Sequence, residues 1–287
     1  MTTSIIAKRW FQRLCQTGAL FFINGYYAFF FTLTVYQGSL RSICLPVLNC
    51  HSCPLSFYTC PIGAIQHFLT IGTLPIFVLS IIALVGITCG RMFCGLVCPF
   101  GLLQDVLFKL GSIRIEIPPY LRFVKYVILI VLVMLLPYFV GLPTFCKVCP
   151  TAILEAGFPH ALIDQDVGSK LFNQETGMFI GWMFLIKAVL LAVILLASVN
   201  MKRPFCRVLC PLGALLGLFN RFTLLGISVK KESCNKCQLC ARLCPVDLSI
   251  YSDPDSAECV RCMKCTYCKE VSAKIQPLSL SMRRRDA

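Results

Sequence analysis

Residues 234–245, CNKCQLCARLCP, and 259–268, CVRCMKCTYC, decide how this chain is read. The first run is Cys234-x2-Cys237-x2-Cys240-x3-Cys244 with Pro245 directly after it, and the second is Cys259-x2-Cys262-x2-Cys265-x2-Cys268. That is the spacing of a bacterial two-cluster segment, in which three close cysteines hold one [4Fe–4S] cluster and the fourth reaches its neighbour. By this logic Cys234, Cys237, Cys240 and Cys268 form one ligand set, and Cys244, Cys259, Cys262 and Cys265 the other. The last gap is x2 where x3 is usual, and Lys269 stands in place of proline, which predicts a distorted second site. Zinc knuckles also use C-x2-C spacing, but eight thiols in two near-identical runs favour clusters.

Upstream the composition changes. Of 287 residues 57% are hydrophobic and 14% charged, with a mean hydropathy of +0.77. Ordinary soluble domains carry about 25% charged residues, so the composition predicts an integral membrane protein with a small polar appendage. Apolar stretches at 17–36, 74–93, 123–142 and 178–199 are each close to the ~20 residues that cross a bilayer as helix. The expected fold is all-α, with four transmembrane helices in two pseudo-twofold halves over residues 1–225. A ferredoxin-like α+β domain with two clusters follows over 226–287. Lys8, Arg9, Arg13, Arg91, Lys109, Arg114, Arg122, Lys125, Lys202, Arg203 and Arg207 flank these spans on one side, and only Arg41, Lys147 and Lys170 on the other. The positive-inside rule then places both termini and the ferredoxin segment in the cytoplasm, with loops 37–73 and 143–177 outside. The first span is too long for a signal h-region, and Tyr36-Gln37-Gly38 offers no small-residue cleavage site, so it reads as an anchor. The net charge of +14 is thus topological and does not point to nucleic acid.

The membrane part is internally repeated. Arg91-Met-Phe-Cys94-Gly-Leu-Val-Cys98-Pro99-Phe-Gly101 matches Arg203-Pro-Phe-Cys206-Arg-Val-Leu-Cys210-Pro211-Leu-Gly213 at Arg, Phe, both cysteines, Pro and Gly. Two halves contribute two thiols each, so Cys94, Cys98, Cys206 and Cys210 together supply the four ligands of one further cluster at the cytoplasmic face. Proline is tolerated in the first turn of a helix, which puts Cys98 and Cys210 at helix N-termini, where free N–H groups favour thiolates. Arg91 and Arg203 add positive potential there or anchor the chain at the membrane boundary.

On the outer side Cys50-His-Ser-Cys53-Pro54 resembles Cys146-Lys-Val-Cys149-Pro150, and Cys60-Pro61 repeats the same device. Six thiols compete for four places; the expected ligands are four drawn from Cys50, Cys53, Cys60, Cys146 and Cys149, with Cys44 a spare or a disulfide partner. Disulfides are the competing reading in an oxidising compartment. Lys187 lies roughly 20 Å along its span, where it either meets an outer cluster or a quinone headgroup or snorkels to the surface. Glu155, His67 and His160 are candidate proton acceptors for quinol. Cys15 and Cys89 read as packing residues. Cys50-His-Ser-Cys53 is not a haem attachment site, because Pro54 follows it, and no G-x-G-x-x-G fingerprint is present.

On these residues the chain resembles the NapH/MauN group of membrane ferredoxin-type proteins over nearly its whole length. The resemblance implies an inner-membrane electron-transfer subunit, associated with quinol oxidation and with a periplasmic redox partner, as in a quinol dehydrogenase complex. The expected function is electron transfer between cytoplasmic or quinone donors and a periplasmic partner, through clusters on both membrane faces. The alternative is a copper-handling or maturation protein whose clusters keep outer thiols reduced.

Overall fold

The computed structural model describes residues 2–27, 29–32, 36–50, 52–111, 113–157, 177–230, 232, 234, 237–268 and 271–275. Helix α1 (Thr2–Ile23) opens the chain, and its buried Gln12 and Gln16 both donate to the Gly95 carbonyl, at 2.6 and 3.1 Å. Then come α2 (Pro61–Thr70), α3 (Ile76–Cys89), α4 (Met92–Leu96) and α5 (Pro99–Leu107). A continuous helical rod, α6, covers Pro119–Val140, with its middle turns, Leu129–Leu135, widened to π geometry. Pro137 has no N–H to give to the turn before it, which accounts for the widening. After α6 come α7 (Thr144–Val148), α8 (Gly177–Asn200) and α9 (Pro211–Phe219). The cysteine-rich segment holds α10 (Leu239–Leu243) between strands β1 (Leu225–Val229) and β2 (Val271–Ile275). The strands pair antiparallel from Leu225↔Ile275 to Val229↔Val271, closing the ends of that segment on each other.

One local device recurs. Cys60, Cys98, Cys149 and Cys210 each stand in extended backbone immediately before a proline that starts a helical turn. The missing proline N–H costs nothing in the first turn, and the thiol is left beside the free N–H groups of the helix start.

Among the described residues the expected bundle of four membrane-spanning helices is not found. Among the described residues only Pro119–Val140, 22 residues long, is long and apolar enough to cross a membrane. Helix α1 stops at Ile23, inside the first apolar stretch, where the chain turns through Asn24 and Gly25. Helix α3 has 14 residues and is stopped by Gly90 in left-handed backbone, φ 59°. At 1.5 Å per residue it spans about 21 Å, short of the ~30 Å hydrocarbon core. In the fourth stretch α8 runs from Gly177 to Asn200, and the part of it counted as an apolar helix among the described residues is Leu185–Asn200. With one candidate crossing, the topology that put both termini in the cytoplasm and loops 37–73 and 143–177 outside loses its support.

The segment after α6 folds back along it. Gly141, φ 66°, reverses the chain, and the Thr144 hydroxyl then donates to the Leu132 carbonyl at 2.7 Å. The buried Gln66 amide donates to the same carbonyl at 2.8 Å, and its oxygen accepts the Cys146 N–H at 3.2 Å. Cys146 and Cys149 therefore lie beside the middle of α6, not beyond its end.

Candidate iron–sulfur sites

In the C-terminal segment the two cysteine runs share one backbone path. Gln238 and Met263, each directly after the second cysteine of its run, are left-handed at φ 57° and 58°. Cys244 and Cys268 both end a short helical turn in extended backbone. The missing residue before Cys268 is absorbed by winding: α10 is an α-turn, whereas Lys264–Tyr267 is the tighter 3-10 form. Cys244, Cys259, Cys262 and Cys265 line one cavity of about 260 Å³. Burial pushes the Cys244 thiol up to about 12, and the neighbouring Cys262 and Cys259 push the same way. Cys234, Cys240 and Cys268 form a second group, in which burial, then Cys268 and Cys234, raise the Cys240 thiol. Cys237 is exposed.

The repeated motifs meet each other. Burial, then Cys206 and Cys94, push the Cys98 thiol up to about 12, and the Cys210 thiol is raised by burial and by the same neighbours together with Cys98. The four thiols thus sit within electrostatic reach of one another. Each arginine serves the opposite motif. Arg91 donates to the Cys206 carbonyl at 3.3 Å, and Arg203 to the Cys94 carbonyl at 3.1 Å. The two guanidinium groups lie over Gly213 and Gly101, where an added Cβ would come within 2.9 and 3.5 Å of them. Both arginines are fully buried, and Arg203 forms a two-pronged pair with Asp105 at 2.7 Å per bond. Gln104 donates to the Cys206 sulfur at 3.1 Å, and the Gly213 N–H to the Cys210 sulfur at 3.4 Å.

Cys50, Cys60, Cys146 and Cys149 line a third space together with Leu48 and Phe145. Cys53 is buried beside Cys50 but does not line the cavity, and neither does Cys44. Glu155 is half-buried against this site and accepts the Cys50 N–H at 2.8 Å. Burial pushes its carboxyl up to about 8, against the opposing pull of that N–H and of Asn24. Lys187 is half-buried on α8 and enters none of these groups, His67 is exposed at the end of α2, and His160 lies outside the described residues. Cys15 and Cys89 are partly buried and join no group.

These donor sets suit clusters better than single ions. Among the described residues no three His, Cys, Asp or Glu side chains converge as they would on one metal ion. Instead the thiols are spread around spaces, as a four-iron cluster with one thiolate at each iron requires. Burial raises the Cys98, Cys206 and Cys210 thiols, and bound iron would favour their thiolate forms.

The sites adjoin. An added Cβ on Gly95, next to Cys94, would overlap the Val260 carbonyl and lie 3.2 Å from Cα and Cβ of Cys262. The backbone of Leu48 acts on the Cys98 thiol and that of Asn49 on the Cys60 thiol, each lowering it against burial. Consecutive residues thus influence cysteines that the topology would set on opposite membrane faces. Residues that spacing could not flag hold this arrangement. Asn220 donates to the Cys259 carbonyl at 2.7 Å and accepts from the Arg91 N–H at 3.1 Å. Glu258 pairs with both Arg91 and the buried Lys125. Gln104 and Asn220, polar residues in apolar helices, were the available signal.

The 4Fe-4S binding domain family matches residues 70–118 and 178–232, one stretch for each Cys-x3-Cys-Pro motif. Two uncharacterised proteins of Methanocaldococcus jannaschii are 29% and 30% identical over 75% of this chain, covering 85% and 76% of their own lengths. The methylamine utilization ferredoxin-type protein MauN of Paracoccus denitrificans is 36% identical over 24% of this chain and 23% of its own. The chain belongs to the ferredoxin-type iron–sulfur electron-transfer proteins of the NapH/MauN group. No solved structure matches this ferredoxin-type protein. Electron transfer through bound iron–sulfur clusters is its general function.

Proposed function

We propose that this ferredoxin-type protein is a relay anchored to the membrane by α6, with its cysteine groups forming one continuous line. The reading holds Cys234, Cys237, Cys240 and Cys268 as one ligand set, Cys244, Cys259, Cys262 and Cys265 as the next, Cys94, Cys98, Cys206 and Cys210 as the third, and Cys50, Cys60, Cys146 and Cys149 as the last. Iron–sulfur clusters bound there supply one-electron redox centres. Gly95, having no side chain, allows the Cys259–Cys265 loop to rest on the third set. Leu48 and Asn49 bring the last set against it. Arg91 and Arg203 supply buried positive charge beside thiolates that would otherwise be hard to ionise in so dry a site. The observation that carries the proposal is this adjacency, because the ~30 Å of hydrocarbon between two membrane faces would be too long a gap. A redox protein or a quinone at each end would complete the path, with Glu155 placed to hold a proton beside the last set.

The copper-handling alternative draws less support, since the outer thiols surround a space and do not converge on one point. The test is iron and acid-labile sulfide per chain in anaerobic protein. Replacing Cys60 and Cys149 by alanine should remove about four irons, and replacing Cys98 and Cys210 about four more. Iron content unchanged by the Cys60/Cys149 pair would remove the last set from the relay.

A further inference from the structure

A cleft of about 200 Å³ opens between α1, α5 and the cysteine-rich segment, and five cations line it: Arg13, Lys109, Lys202, Arg242 and Lys264. They come from five separate stretches of sequence, so only folding gathers them. The cleft's one carboxylate, Asp105, is already engaged two-pronged by Arg203 and lies 3.8 Å from Lys264. Lys202 is paired with Asp247 at 2.6 Å, whereas Arg13, Lys109 and Arg242 form no ion pair among the described residues. Gathering like charges costs energy unless an opposite charge is brought to them, and a concave basic surface focuses attraction on an acidic partner.

The cleft also has a redox wall. Cys244 and Pro245 line it, and Lys202 donates to the Cys244 carbonyl at 3.2 Å, so whatever occupies the cleft lies against the backbone of a residue of the second ligand set. We infer that this cleft is the docking surface for a small acidic electron-carrier protein, whose carboxylates pair with Arg13, Lys109 and Arg242. The inference rests on the electron-transfer reading, and it adds to that reading the charge of the partner and the place where it lands. A phosphate-bearing metabolite would need only one or two of these cations. Lipid headgroups would gain nothing from meeting Cys244.

The test uses the full chain in nanodiscs of zwitterionic phosphatidylcholine, with an acidic flavodoxin as the probe and binding measured by calorimetry. Binding at low salt should weaken steeply as salt is raised. The combined variant Arg13→Gln, Lys109→Gln, Arg242→Gln should bind about tenfold or more weakly at low salt and lose most of its salt dependence. The lysine-for-arginine variant Arg13→Lys, Arg242→Lys should retain binding, which separates lost charge from lost folding. Equal affinity for the triple glutamine variant and the unaltered protein would overturn the inference. So would competition by inorganic phosphate beyond that of chloride at equal ionic strength, or attachment of the three side chains to phosphatidylglycerol discs with none to flavodoxin. Iron content is read on the same samples: protein lacking iron would count against the relay and leave the docking result standing by itself.

Discussion

Replacing Gly95 by alanine should loosen the cysteine-rich segment from the helices beneath it. The added methyl would overlap the Val260 carbonyl and sit 3.2 Å from two carbons of Cys262, all on a loop with little freedom to yield. Ordinary contact would require the carbonyl to withdraw by roughly 1 Å. Overpacking of this kind typically costs about 1–3 kcal/mol. The cost falls on docking, because alanine favours the helix in which Gly95 sits. If the segment opens as a unit, amides of residues 256–262 should exchange with deuterium about 5–150-fold faster, the factor that matches this energy. Exchange followed by mass spectrometry reads this directly. Gly18→Ala is the control, since nothing lies within 4 Å of a Cβ there. Exchange in Gly95→Ala as slow as in the control would refute the claim that the two modules meet across Gly95.

Glu258→Gln removes the one negative charge shared by the buried Arg91 and Lys125, and should cost about 3–5 kcal/mol in denaturant unfolding; a loss below 1 kcal/mol would mean that other groups carry the contact. Asp105 makes a pH-dependent contribution. Burial raises its carboxyl, but the Arg203 guanidinium outweighs this and holds it below the ordinary carboxylate value. Its folded pKa is therefore the lower one, so the stabilisation is complete above the unfolded value of about 3.9 and is lost as pH falls through the folded value. Asp105→Asn should destabilise the protein at neutral pH and flatten its acid limb; an unchanged acid limb in thermal melts taken across pH would contradict the pairing.

The cysteine runs were legible because ligand spacing is a local property: a thiol two residues from another is near it in any fold. The repeat was legible for the same reason, down to the arginines, although their exchange between motifs was not. Each guanidinium reaches across to the other half, and no local pattern encodes that. The outer set was ambiguous because Cys44, Cys50, Cys53, Cys60, Cys146 and Cys149 are chemically equivalent in a string of letters. Only the fold-back of the chain at Gly141 and the buried Gln66 bridge decide which of them face one space. The four-span reading failed where composition stands in for length. Apolar stretches at 17–36 and 74–93 are hydrophobic enough to cross, but Gly25 and Gly90 cut their helices short.

By itself the sequence determined the chemistry: twenty cysteines, most in ligand spacing, four of them directly before prolines that start helical turns, and too little charge for an ordinary soluble domain. Only the tertiary structure decided the order in which those thiols stand. Adjacency between sites depends on Gly95 under Val260 and on Leu48 between Cys98 and Cys60, contacts between residues far apart in the chain. Their cause is packing, which depends on shape in three dimensions, whereas the ligand motifs depend only on the spacing along one.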